Sequence, residues 1–186
     1  MEITHLRPQG LATVTLDLRT DERGFFVERF KQSLLNGTAI PSDFAQDNHS
    51  RSEVGVLRGL HYQYDPAQGK LVGVTRGRIW DVAVDLRPDS DTFGQSYGCE
   101  ITDRNGLLLW IPRGFAHGFC VLGNEPADVI YKTTTEYDPL GEAGIRWDDP
   151  DLAIDWPLDE PKLSKRDLGL PSFADYRRDP PAWRLK

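Results

Sequence analysis

The sequence holds little that would mark it for a membrane, a nucleic acid or an oxidising compartment. Of its 186 residues only two are cysteine, Cys99 and Cys120. They lie far apart, form no Cys-x-x-Cys pair and follow no signal peptide, so a disulfide framework is excluded and a reduced, cytoplasmic setting is expected. No apolar run approaches the roughly 20 residues that a bilayer span requires. A basic surplus is missing too: 22 Lys and Arg stand against 29 Asp and Glu, for a net charge of −7. General nucleic-acid and anionic-membrane surfaces need a basic footprint, so neither partner is expected. A small anionic ligand held by a few local arginines stays open. Repeats and low-complexity segments are absent, and helical signals are scarce: only KQSLLNG (31–37) and SKRDLG (164–169) read as helices, both short.

What is present is a chain of short strands. With 39% hydrophobic and 27% charged residues the composition is that of a folded globular protein, long enough for one domain with a sizeable core. RIWDVAVDLR (78–87) alternates, with Trp80, Val82, Val84 and Leu86 on one face and Ile79, Asp81, Ala83 and Asp85 on the other. GCEIT, DRNG and LLLWIP read as strand, Asn-Gly turn and strand. HGFCVLG, DVIYKTTTEY, GLATVTLDL, GFFVERF, FAQDNHSRS and KLVGVT add further strands. Many short strands at near-even spacing, with 13 prolines and 17 glycines to turn corners, predict an all-β sandwich or barrel. The stretch from about residue 140 is Pro- and Asp-rich and is expected to wrap that barrel, so that 1–186 form a single domain.

GVLRGLHYQ (55–63) carries polar residues that an ordinary strand would not. Alternation puts Arg58 and Leu60 on one face and Leu57, Gly59 and His61 on the other. Arg58, His61, Lys70, His117 and Tyr131 all sit in apolar strand neighbourhoods. Each has an ordinary structural explanation, as half of an ion pair or a satisfied core histidine. In a closed barrel, those on the inner face would converge on one cavity holding a base, an acid and cations, a proton-transfer site. A metal site is the competing reading. Metal-binding barrels of this kind place two ligands on one strand face as His-x-His; here the stretch is HYQ, and Gln63 is a poor transition-metal ligand. No metal and no cofactor are expected.

DERGFFVERF (21–30), AQDNHSRSEVGVLRGLHYQ (45–63), AQGKLV (67–72), WDVAVDLRPDSDTFG (80–94), LWIPRGFAHGF (109–119), YKTTTEYDPLGE (131–142) and LSKRD (163–167) occur in order and near-constant spacing. Together they resemble the dTDP-4-dehydrorhamnose 3,5-epimerases over nearly the whole chain. The resemblance implies a cupin-type jelly roll with a few short helices, a homodimer and a metal-free reaction in deoxysugar nucleotide biosynthesis. It implies epimerisation at C3 and C5 of dTDP-4-dehydro-6-deoxy-D-glucose to dTDP-4-dehydro-L-rhamnose. The C4 ketone acidifies both C–H groups, so the chemistry needs a base and an acid on opposite faces of the ring and a group to hold the enolate oxygen.

By the same resemblance His61 is the base, Asp167 its carboxylate partner, Tyr131 the acid and Lys70 the cation near the C4 oxygen, with Arg58 lining the pocket. Arg23 and Glu28 are implied to reach the ligand from the dimer partner, and Phe26 to add to the packing on the thymine. Gln46 and Asn48 are implied near nucleotide and sugar, Tyr137 against the thymine, and His117 and Glu142 at further binding positions. Arg166 stands where the family often has lysine, which changes the geometry of a phosphate contact. Two alternatives remain: an epimerase acting at C3 or C5 alone, and a cupin that binds a sugar nucleotide without turning it over.

Overall fold

The computed structural model describes residues 1–184. Thirteen strands form in chain order: β1 Glu2–His5, β2 Ala12–Thr15, β3 Arg19–Asp21, β4 Gly24–Phe26, β5 Gln46–Ser52, β6 Leu57–Gln63, β7 Lys70–Arg76, β8 Arg78–Asp85, β9 Ser96–Thr102, β10 Leu107–Ile111, β11 Phe115–Val121, β12 Ala127–Thr133 and β13 Glu142–Gly144. Six build one antiparallel sheet in the order β1-β2-β10-β7-β12-β5, and five build a second in the order β13-β6-β11-β8-β9. Their inner faces meet in a core of Leu11, Val72, Val74, Ile79, Ile101, Leu109, Phe115, Phe119 and Val129. Two facing sheets of this kind make the cupin-type jelly roll. β3 and β4 stand apart as a two-stranded hairpin.

The central strands β6, β11 and β8 of the five-stranded sheet are largely buried on both faces. Val82 and Val84 of β8, and Leu86 just after it, do not look into the barrel. They pack with Leu60, Tyr62, Ile145, Leu152, Trp156, Phe173 and Tyr176 in a second cluster. Ile145, Leu152, Trp156, Phe173 and Tyr176 therefore pack on the outer face of this sheet, and the inner face of β8 is the one bearing Ile79, Asp81 and Ala83. Helices are few: α1 is Gln32–Leu35, and α2 is Phe173–Arg178. Sequence periodicity did not reveal α2, although SFAD carries its signal: the Ser172 and Asp175 side chains close a capping box. The helix expected over 164–169 shrinks to one 3-10 turn, Asp167–Gly169.

β6 corrects the alternation read from sequence. Opposite β11, His61 pairs with His117 but Arg58 pairs with Phe119, so three residues of β6 span two of its neighbour. This one-residue bulge reverses parity. Leu57 and Leu60 both join the outer cluster, while Arg58 and His61 both line the cavity on the inner side. Gly59 is what permits it: its φ is +125°, and a Cβ there would stand 2.5 Å from the Gly118 Cα.

Candidate active site

A cavity of about 630 Å³ opens between the two sheets. His61 reaches it from β6 in the five-stranded sheet and Tyr131 from β12 in the six-stranded one, so they face it from opposite sides. His61 donates from Nε2–H to the Asp167 Oδ1 at 2.6 Å. That bond leaves Nδ1 as the ring nitrogen able to take a proton. Asp167 is buried. Burial alone would raise its carboxyl, but the hydrogen bonds and charges of His61, Ser164 and Arg166 outweigh it and hold the carboxyl below its ordinary value. Asp167 is placed by its 3-10 turn, where its backbone N–H donates to the Ser164 Oγ at 3.1 Å. The Ser-x-x-Asp spacing of SKRD is the local signal for that side-chain-to-backbone bond.

Tyr131 packs half-buried against the inner core. Burial and the charge of Glu142 lift its phenol above the ordinary value, against the opposing effect of Arg58, so it keeps its proton as an acid must. Lys70, at the start of β7, is drawn down to about 8 by burial, with Glu142 and Asp81 opposing that fall. Arg58 is held by Ser52, its Nε–H donating to Oγ at 2.9 Å. Along β5 the inward positions Gln46, Asn48 and Ser50 follow one another into the cavity, with Asn48 directly opposite Tyr131. The Ser50 Oγ is buried with no hydrogen-bond partner among the described residues.

The mouth is a ring of mutual contacts. Tyr137 donates its hydroxyl to the Glu142 Oε2 at 2.9 Å, and Arg166 Nη1 lies 2.7 Å from the same oxygen. The Tyr137 N–H donates to the Gln46 Oε1 at 2.9 Å. Gln63 takes no part in the cavity. Its amide is bound to the Pro66 and Glu136 carbonyls and the Asp138 N–H, pinning the loop that carries Tyr137. Thus His61, Asp167, Tyr131, Lys70, Arg58, Gln46, Asn48, His117, Tyr137, Glu142 and Arg166 all come together. Arg23, Phe26 and Glu28 do not. They sit on or just after the β3–β4 hairpin, exposed and away from this cavity, with Phe25 and Phe26 56% and 62% accessible. Sequence reasoning missed Ser50, Gln68, Lys162 and Ser164 in the lining.

A jelly roll with a base and an acid set on facing sheets is laid out as an isomerase that moves protons on a small ligand. A family model described as dTDP-4-dehydrorhamnose 3,5-epimerase matches residues 5–175. An enzyme of that name from Pseudomonas aeruginosa is 54% identical over 157 residues, covering 83% of this chain and 86% of its own. A dTDP-4-dehydrorhamnose 3-epimerase from Streptomyces niveus is 38% identical, over 95% of this chain and 86% of its own. The crystal structure of a dTDP-6-deoxy-D-glucose-3,5-epimerase from Legionella pneumophila, in complex with dTDP-4-keto-L-rhamnose, superposes with a TM-score of 0.89 at 45% identity, covering 93% of each chain. The chain belongs to the dTDP-4-dehydrorhamnose 3,5-epimerase family.

Proposed function

We propose that this protein epimerises C3 and C5 of dTDP-4-dehydro-6-deoxy-D-glucose through an enolate, forming dTDP-4-dehydro-L-rhamnose. The observation that carries the reading is the placement of the His61–Asp167 pair and Tyr131 on opposite walls of one cavity. His61 Nδ1 removes the proton α to the ketone, and the Asp167 carboxylate stabilises the imidazolium that results. Tyr131 returns a proton from the other side, which inverts the carbon. Lys70 meets the charge that develops on the C4 oxygen, and Arg58 lines the pocket. Gln46, Asn48, His117, Tyr137, Glu142 and Arg166 hold the sugar and the nucleotide.

A homodimer completes the site in this reading, with Arg23, Phe26 and Glu28 supplied to the cavity of a second copy. An isolated two-stranded hairpin is marginal in water, and exposed Phe25 and Phe26 are surface that such a neighbour would cover. A cytoplasmic setting suits the free Cys99 and Cys120. Among the described residues, no helix is long and apolar enough to cross a membrane. Inversion at C3 alone is the second reading, and the Streptomyces niveus 3-epimerase is what favours it. Proton NMR in D2O with dTDP-4-dehydro-6-deoxy-D-glucose separates the two. Deuterium entering at both C3 and C5, with the L-rhamno product formed, is the expected result. Exchange and inversion at one carbon only would overturn double epimerisation, and no exchange at either would overturn the enzyme reading.

A further inference from the structure

One buried side chain beside this machinery holds the mouth and not the reacting groups. Gln63 stands at the end of β6, two residues after His61, and is buried without lining the cavity. Its Nε2 donates to the Pro66 carbonyl at 2.9 Å and the Glu136 carbonyl at 3.1 Å, with the Thr135 hydroxyl further off at 3.4 Å. Its Oε1 accepts from the Asp138 N–H at 3.0 Å. The Glu136 carbonyl and the Asp138 N–H flank Tyr137 on either side. A primary amide of this length answers all of these groups at once. Two carbonyls need donors and one N–H needs an acceptor, so a carboxylate, a hydroxyl or a neutral imidazole would each leave at least one of them unpaired.

Tyr137 needs such a hold. Its ring is half exposed and joins none of the three apolar clusters among the described residues, so packing does not fix its direction. The constraints on it are polar and come from both sheets. Gln46 of β5 in the six-stranded sheet accepts from the Tyr137 N–H at 2.9 Å, while Gln63 of β6 in the five-stranded sheet grips the two neighbouring peptide groups. The far end of the ring is tethered as well. Its hydroxyl donates to the Glu142 Oε2 at 2.9 Å, and Glu142 is the cross-strand partner of Gln63 between β13 and β6. Gln63 therefore bears on both ends of Tyr137, by its side chain at the backbone and by its strand pairing at the hydroxyl. Buried Gln68 adds a parallel bond from Nε2 to the Thr135 carbonyl at 3.0 Å.

We propose that Gln63 is a positioning residue for nucleotide binding: its buried amide fixes the peptide groups on either side of Tyr137 and so holds that ring at the cavity mouth in the attitude that receives a flat base. This rests on the epimerase reading above, in which the mouth takes the nucleotide. A ring that is already ordered loses little freedom when a base stacks on it, whereas ordering a ring on a loosened loop subtracts from affinity. Gln63 acts through Tyr137 and touches no ligand itself. Its effect falls on binding, and proton transfer between His61 and Tyr131 does not pass through it.

The test is a double-mutant cycle on dTDP affinity, measured by calorimetry, with Gln63→Met and Tyr137→Ala made singly and together. Tyr137→Ala is expected to weaken dTDP about tenfold, the size of one base–aromatic stack. Gln63→Met keeps the length of the side chain and removes its polar atoms. It is expected to weaken dTDP about fivefold and to add nothing further once Tyr137 is alanine. In turnover, KM should rise in step while kcat moves less. A glutamine that merely stabilises the fold acts independently of the ring, so losses that add in the double variant overturn the proposal, as does unchanged dTDP affinity in Gln63→Met. If Gln63→Met does not fold, Gln63→Asn keeps both donors and the acceptor but falls one methylene short. The same cycle then applies, with the same two outcomes against the proposal. Binding is read without turnover. A wild-type protein that binds no dTDP sinks the nucleotide reading of the mouth itself, whereas one that binds dTDP without this coupling sinks only the role of Gln63.

Discussion

The two ends of the cavity are built on different principles. At the reaction end, His61, Tyr131 and Lys70 are strand residues, and Asp167 is buried with its N–H bonded to Ser164. Two of the four hold shifted protonation states that burial drives directly, Lys70 downward and Tyr131 upward. At the mouth, Gln46, Tyr137, Glu142 and Arg166 satisfy one another, and Tyr137 is half exposed. The reaction end is thus finished in the free chain, since its chemistry depends on angles and charge states that a scaffold must hold. At the mouth the proposed function asks an anionic nucleotide to take the place of Glu142 as the partner of Arg166. Substitutions at the reaction end should therefore act on rate, and those at the mouth on affinity.

The largest effect is expected from His61→Ala. Loss of the base should cost at least about 10²–10⁴ in exchange at both carbons while dTDP, held at the mouth, binds as before. Near-wild-type turnover would end the assignment. Tyr131→Phe comes next and divides the reaction end itself. His61 can still remove a proton and return a solvent deuteron to the same face, but delivery from the opposite face is lost. Deuterium should then enter C3, C5 or both faster than the epimerised sugar forms, whereas the wild-type protein couples the two. If the ratio of exchange to inversion is unchanged in D2O, Tyr131 is a packing residue and not the acid.

Lys70 supplies a pH signature with two opposite signs. The cation is needed for catalysis, so kcat/KM should fall on an alkaline limb centred near 8, and Lys70→Met should lack that limb. Stability moves the other way. With the folded value at about 8 and the ordinary value at 10.5, the unfolded chain binds more protons between those limits, so the Lys70 contribution stabilises the fold as pH rises through that window. A rate that drops only where the protein also begins to melt would remove Lys70 from the mechanism.

The same contrast governs what could be read from the sequence. Strand periodicity exposed β8, and the polar residues stranded in apolar runs marked His61, Lys70, His117 and Tyr131 as belonging together. The direction of Arg58 was not legible by alternation, because parity along β6 depends on a bulge. Gly59 inside a strand pattern was its only local sign. Alternation grouped Asp81 with Ile79 and Ala83 but did not say which face turns inward or what Asp81 meets, because its partner His117 is 36 residues away and meets it only through the β8–β11 pairing. Asp167 came from family resemblance, since nothing local in SKRD says that its carboxylate will meet a histidine 106 residues earlier. The part of the site set by local pattern was readable, and the part set by register and by the covering C-terminal segment was not.

The smallest effect is expected at the mouth, from Arg166→Lys, and it tests the contrast from its weak side. Arg166 keeps 46% of its side chain accessible, and its partner Glu142 keeps 15%. Exposed ion pairs contribute roughly 0–1 kcal/mol, and lysine retains the positive charge while losing the planar fork that can grip two oxygens at once. KM should therefore rise by no more than about fivefold, with kcat unchanged. The dependence of KM on salt should persist, because the charge persists. The opposing possibility is that Arg166, next to Asp167 in sequence, helps set the catalytic pair; its charge is one of those that lower the Asp167 carboxyl. In that case lysine, whose ammonium sits elsewhere, would change kcat and the acid limb of its pH profile rather than KM. Steady-state kinetics across pH on this one variant distinguish the two outcomes, and a fall in kcat with unchanged KM would dissolve the boundary between reaction end and mouth.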